Sequence, residues 1–255
     1  MFKDFNNNPQ AKFVNIDSPL NSVNLVLPTT KPGEGTTDKK VVLDSMFEGA
    51  LAFNSLNDTT TTGFYELVLS LTSIDTSNAV SMNSMFKNAC IYNSEGSYSY
   101  GELGFIEKLV RPVIDVTGGN INKVDDMSHM FDNAFPHDDK VLSMDALTTL
   151  YRSQLGKLKL WGSADDQKTA ENCDGSYMFS KVGVQEINLE NVNFVNISDY
   201  SFMFSFFGFY EHPGVIEPLE DLSMANATSV RGIFYEAYFN YNDWEEEGFK
   251  LDLSD

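Results

Sequence analysis

Positive charge, cysteine and histidine are all scarce in this sequence. Its 255 residues carry 17 Lys+Arg against 37 Asp+Glu, a formal net charge of −20. Phosphate backbones and anionic lipids both call for a net positive face, so neither nucleic-acid binding nor membrane insertion is expected. Two cysteines, Cys90 and Cys173, are too few for a disulfide framework, and their spacing fits no metal site. They read as buried or spectator thiols. No apolar run nears the roughly 18 residues that cross a bilayer. The longest, Phe202 to Tyr210, is interrupted by Ser205 and Gly208. The first residues, MFKDFNNNPQAKFVNIDSPLN, lack the basic start, apolar stretch and cleavage site of a secretory signal. The expected location is therefore cytoplasmic as synthesised, with a virion, a particle or a cell surface reached by a non-standard route as destinations.

Catalytic signatures are missing as well. The three histidines, His129, His137 and His212, show neither H-x-x-x-H nor H-E-x-x-H spacing. There is no G-x-S-x-G, and Gly33-Glu34-Gly35-Thr36 lacks the lysine of a phosphate loop. No loop fits the calcium template D-x-[DN]-x-[DN]-G. No catalytic residue, metal or cofactor is expected. Acidic pairs such as Asp125-Asp126 leave a carboxylate-based carbohydrate-active enzyme as an alternative, because carboxylate separation is set in three dimensions.

What the sequence does contain is a repeat. Hydrophobic residues make up 42% and aromatics 13%, enough for a core in one large or two small domains. The dipeptide Met-Phe ends at Phe47, Phe86, Phe131, Phe179 and Phe204, with Ile233-Phe234 as a variant. Leu69–Phe86, Ile187–Phe204 and Glu217–Phe234 align without a gap over 18 positions, and Ile114–Phe131 is a fourth, weaker copy. Their shared columns are apolar, and one holds Asn78, Asn196 and Asn226. The tail Leu251-Asp252-Leu253-Ser254 resembles the start of a further copy.

Each unit opens with alternating L-x-L, which predicts a short strand. The asparagine-centred middle is turn-like. The M-x-x-M-F-x-x-A end has three- and four-residue spacing that predicts a short helix. The asparagines are expected to point inward and bond backbone groups of adjacent turns. The fold class that follows is an α/β repeat solenoid, leucine-rich-repeat-like, of about six to seven units over residues 41–255. Short parallel strands would form one face and short Met-Phe helical segments the other. Residues 1–40 read as an N-terminal arm or cap.

TSIDTSNAVSMNSMFKNA and LDLS resemble the BspA-type leucine-rich repeat of bacterial surface proteins, the Mycoplasma-type surface repeat, whose pattern runs roughly LDLSNFDTSNVTDMSGMFSGC. The resemblance covers most of the chain from about Leu43. It implies a non-enzymatic solenoid for adhesion, binding a protein or surface-glycan partner. Members also occur in phage, so a virion structural component (capsid decoration, tail or fibre) is an alternative.

Long insertions fall between the unit phenylalanine and the next L-x-L, which would place them along one solenoid edge. They carry aromatics suited to interfaces: Tyr98, Tyr100, Phe105, Tyr151, Trp161, Tyr210, Tyr238, Tyr241 and Trp244. This edge is the first candidate contact surface. The second is the polar outward sheet face, with Ser70, Asp115, Asn188, Glu190 and Asp252. Homo-oligomer contacts through the aromatic edge are a further alternative.

Overall fold

A computed structural model describes residues 40–50, 53–54, 63–71, 74–90, 92–93, 108–135, 156–161, 168–184, 186–190, 192–208, 214–217 and 222–238. Eleven short strands occur among them. In chain order these are β1 (Val41–Val42), β2 (Phe53–Asn54), β3 (Gly63–Ser70), β4 (Ala79–Ser81), β5 (Tyr92–Asn93), β6 (Lys108–Asp115), β7 (Lys157–Lys159), β8 (Cys173–Asp174), β9 (Glu186–Asn188), β10 (Ile197–Asp199) and β11 (Val215–Glu217). Every pairing among them is parallel.

The L-x-L segments give β3, β6 and β7, which pair in that order, and β9, which pairs with β11. A bridge from Gly156 to Val184 joins the β7 and β9 regions. Alternation sets the faces: Leu158 in β7 and Ile187 in β9 are buried between more exposed neighbours. The asparagine-centred middles give a second row. It runs β1–β4, then through Asp126 to β8 and β10, and on to Ser229. In the units described over both segments, strand or bridge pairing therefore occurs at two places rather than on one face.

The Met-Phe segments are turns, and no helix is present among the described residues. Counting from the unit phenylalanine as F, the N–H groups at F−1, F+1 and F+3 donate three residues back. In the first unit these are Met46 to Leu43, Glu48 to Ser45 and Ala50 to Phe47, and all six units repeat the pattern. An α-helix would bond four residues back. The N–H groups at F−4, F−2, F and F+2 instead donate to carbonyls of the following unit. Phe47 donates to Met85, Phe86 to Met130, Phe131 to Met178, Phe179 to Met203 and Phe204 to Ile233, each at 2.8–2.9 Å. Alternate amides thus close turns and join units, so the backbone stays satisfied without a helix.

The turns are made possible by left-handed backbone. The F−2 column has φ near +55°: Ser45 (53°), Ser84 (55°), His129 (56°), Tyr177 (57°) and Phe202 (56°), with Gly232 at 59°. In the F+2 column, Gly49, Asn88, Asn133, Lys181, Phe206 and Glu236 also lie at positive φ. Each occupies the third place of a turn, where type II geometry demands that sign.

Inside, the columns F−1 and F are buried almost throughout. Met85, Met130, Met178 and Met203 are fully enclosed, as are Phe86, Phe131, Phe179 and Phe204. The rings form one stack: Phe47–Phe86, Phe86–Phe131, Phe131–Phe179, Phe179–Phe204 and Phe204–Phe234 have centroids 5.3–5.7 Å apart and planes within 17°. Parallel neighbours with identical side chains produce such offset stacking at the rung spacing. Trp161 is buried core against Phe131 and not part of an edge. Tyr200 takes the inward place that Met82 holds in another unit, its hydroxyl within reach of the Phe194 and Ser223 carbonyls at 2.9 and 2.6 Å.

The asparagine column does not point inward, and two of its three members, Asn196 and Asn226, bond backbone carbonyls of an adjacent turn while Asn78 bonds a lysine side chain. Asn196 Nδ2 donates to the Thr169 carbonyl and Asn226 Nδ2 to that of Val195, each at 2.7 Å. Asn78 Oδ1 accepts from Lys123 Nζ at 2.9 Å. Asn226 is exposed, and Asn78 and Asn196 are half-buried. No helix among the described residues is long and apolar enough to cross a membrane.

Candidate binding face

The F−2 column faces outward, and its chemistry changes along the chain. It begins with Ser45 and Ser84, continues with His129, Tyr177 and Phe202, and ends at Gly232. His129 stacks on Tyr177 at 4.7 Å and 5°, and Tyr177 on Phe202 at 5.0 Å and 18°. Tyr235 closes the row edge-on to Phe202 (6.1 Å, 78°) and to Phe206 (5.5 Å, 79°). His129, Tyr177 and Phe202 are half-buried, and the flanking Phe206 and Tyr235 are 37% and 49% exposed.

Cations gather around it, against the overall charge of the chain. Arg231 lies over the Phe202 ring at 5.6 Å and Lys181 over Phe206 at 5.1 Å. At the other end, Asp132 Oδ2 is 2.8 Å from both Lys87 Nζ and His129 Nδ1. Burial alone would raise the Asp132 pKa, but the hydrogen bonds and charges of His129 and Lys87 prevail and hold it below the ordinary carboxylate value. Glu236 raises the pKa of the Tyr235 hydroxyl, first through a hydrogen bond and then through its charge.

Bulky residues at positive φ are outliers, with a backbone cost of about 1–2 kcal/mol each. Serine and glycine occupy the same column in other units, so the turn itself does not call for a ring. Compared with family models, curated proteins and solved structures, the chain finds no match. The face is therefore read from its own chemistry. It offers flat apolar rings flanked by guanidinium and ammonium groups, suited to stacking and to anionic contacts.

The two surfaces expected from sequence fare differently. Of the aromatic edge, Tyr98, Tyr100, Phe105, Tyr151, Tyr210, Tyr241 and Trp244 lie outside the described residues; Tyr238 is 47% exposed. On the sheet face, Asp252 also lies outside them, Ser70 is half-buried, and Glu190 is exposed. Asp115 Oδ1 accepts from the Thr117 N–H and hydroxyl at 3.1 and 2.6 Å, and Asn188 Oδ1 from the Glu190 N–H at 2.8 Å. Their side chains cap the backbone just beyond each strand.

A further row lies along the middle segments. Asp126, Asp174 and Asp199 stand in register on adjacent units. Each Oδ1 accepts from the N–H two residues on, at Ser128, Ser176 and Ser201 (2.9, 2.8 and 2.7 Å). The D-x-S spacing was the available signal. Among the described residues, no three His, Cys, Asp or Glu side chains are grouped to hold a metal ion.

Proposed function

We propose that the chain is a repeat solenoid serving as a non-enzymatic recognition scaffold, with the outer aromatic row as its contact face. The observation that carries this reading is the placement of His129, Tyr177 and Phe202 at left-handed positions that serine and glycine fill elsewhere. Conformational strain of this kind is maintained at functional surfaces when the surrounding structure holds it in place. The resemblance to the BspA-type surface repeat supports the same class of function. The partner is a protein or surface glycan presenting flat apolar groups beside negative charge. It would cover the rings and meet Lys181 and Arg231.

The test is a binding screen of the purified chain over sulfated and sialylated glycans and acidic protein surfaces, repeated with Tyr177→Ser and Phe202→Ser. The expected result is a ligand whose binding both substitutions remove while circular dichroism stays unchanged. A ligand bound equally by wild type and both variants would place recognition elsewhere.

A further inference from the structure

The asparagine column does not bond in the same way in every unit. In the fifth and sixth units Asn196 Nδ2 and Asn226 Nδ2 donate to carbonyls of the preceding unit, those of Thr169 and Val195. The third unit holds Lys123 in that column, and its Nζ donates to the Asn78 side chain instead, at 2.9 Å. A surface groove of about 400 Å³ lies at this departure from the repeat. That volume falls within the range of small-ligand sites.

Backbone bonds between units fix the walls of the groove. Val41 N–H donates to the Asn78 carbonyl, Asp125 N–H to that of Val80 and Ala170 N–H to that of Val124, at 2.9–3.0 Å. The Asn120 side chain accepts from the Asn122 N–H at 3.0 Å and sets the turn that presents Asn122. A site mounted on segments joined in this way keeps its shape without a ligand.

The lining combines three kinds of chemistry. Lys40 and Lys123 bring two ammonium groups and Asp125 one carboxylate, so the groove is net positive in a chain of net charge −20. Asn78 and Asn122 add amides, which both donate and accept. Val80 and Ala170, both half-buried, supply a small apolar patch. None of these lining residues carries a ring, so a nucleobase or other flat aromatic group finds no stacking partner.

We propose that the groove binds a uronic acid, a sugar carrying a carboxylate, as one unit of an acidic polysaccharide. Its carboxylate would meet the Lys40 and Lys123 ammonium groups. Its hydroxyls would donate to Asp125 and exchange hydrogen bonds with the Asn122 amide, and its C–H face would rest on Val80 and Ala170. A bare anion such as sulfate satisfies the lysines but is repelled by Asp125. A neutral sugar leaves the lysines without a counter-charge. The groove belongs to the middle segments and not to the outer aromatic row, so this inference goes beyond the contact face proposed above and stands without it.

The test titrates the isotope-labelled full chain with the methyl glycoside of glucuronic acid and follows amide shifts by nuclear magnetic resonance. The methyl glycoside of glucose and sodium sulfate serve as neutral sugar and bare anion. The expected result is saturable shifts around Asn78, Asn122 and Asp125 with the glucuronide, at concentrations where the other two give none. Substituting both Lys40→Gln and Lys123→Gln should weaken binding about tenfold, the combined loss of two exposed ion pairs. Both lysines are exposed, so circular dichroism should stay unchanged. Tyr177→Ser and Phe202→Ser should leave glucuronide binding as it is, which separates this site from the aromatic row. The proposal is overturned by an absence of saturable glucuronide binding, or by equal binding of the glucoside or of sulfate. It is overturned equally if the double lysine variant binds as tightly as wild type, or if the two aromatic substitutions remove the binding.

Discussion

The rings of Phe131 and Phe179 lie 5.5 Å apart with 8° between their planes, although a long stretch of chain separates them. Each ring in this stack covers the next, so truncating one uncovers two neighbours. Phe131→Ala should lower the unfolding free energy by about 3–5 kcal/mol, the range for fully buried aromatics. Phe234→Ala, at a half-buried position, should cost clearly less. Urea unfolding of the two variants checks the order.

Phe202 and Phe204, separated only by Met203, should respond in opposite ways. Phe202→Asn relieves a left-handed strain of about 1–2 kcal/mol while losing ring stacking of about 0.5–1.5 kcal/mol. Its stability should stay within about 1 kcal/mol of wild type by that balance. Phe204→Asn puts an amide into a fully enclosed column and should prevent cooperative unfolding. Thermal melts followed by near-ultraviolet circular dichroism distinguish them.

Asp132 ties its own unit to the second through Lys87 and holds His129 within its own. A carboxyl held lower in the folded chain than in the unfolded one contributes most above its unfolded value, about 3.9 for aspartate. That contribution disappears as pH falls through the folded value. Wild-type stability should therefore drop more steeply between about pH 5 and pH 2 than that of Asp132→Asn. Denaturation midpoints across that range give the comparison.

Cys90 and Cys173 are buried, and desolvation raises both thiols, Cys173 to about 12. The thiolate is the reactive form, so both should resist modification at neutral pH. A colorimetric thiol reagent should titrate neither in the native chain and both after unfolding in guanidinium. Rapid native labelling of either would contradict the packing.

Gly208 has φ of +73°, and a Cβ there would run into the Tyr238 carbonyl oxygen and the Gly214 amide. Gly208→Ala meets both backbone strain and a clash with atoms that cannot rotate away. It should destabilise by more than the roughly 0.4–1 kcal/mol by which a strain-free glycine-to-alanine change stabilises. Chemical denaturation measures the loss.

The Met-Phe dipeptide made the inner columns legible because identical residues stack on parallel neighbours and must all face inward. The turns were hidden for a local reason. Left-handed positions normally announce themselves with glycine or asparagine, as at Gly49, Asn88 and Asn133. The F−2 column instead holds serine, histidine, tyrosine and phenylalanine, so the three- and four-residue spacing of apolar groups resembled a helix face. The outer row is illegible in the sequence for the same reason. Its members share a backbone conformation, and sequence alignment compares only side chains. The D-x-S caps were visible in the sequence, but their registry across units depends on strand pairing.

The uneven spacing of successive units also sets an order of events for the chain as it first folds. Along the sequence, Phe179 to Phe204 and Phe204 to Phe234 are the two shortest steps between unit phenylalanines, and Phe131 to Phe179 is the longest. Closing a loop becomes costlier with length, by about 0.6 kcal/mol for each doubling. Nucleation is therefore favoured among the units of Phe179, Phe204 and Phe234. The amino-terminal units would then add by templating on a completed edge, one rung at a time, and a long insertion would slow its own rung without changing the register of those already formed.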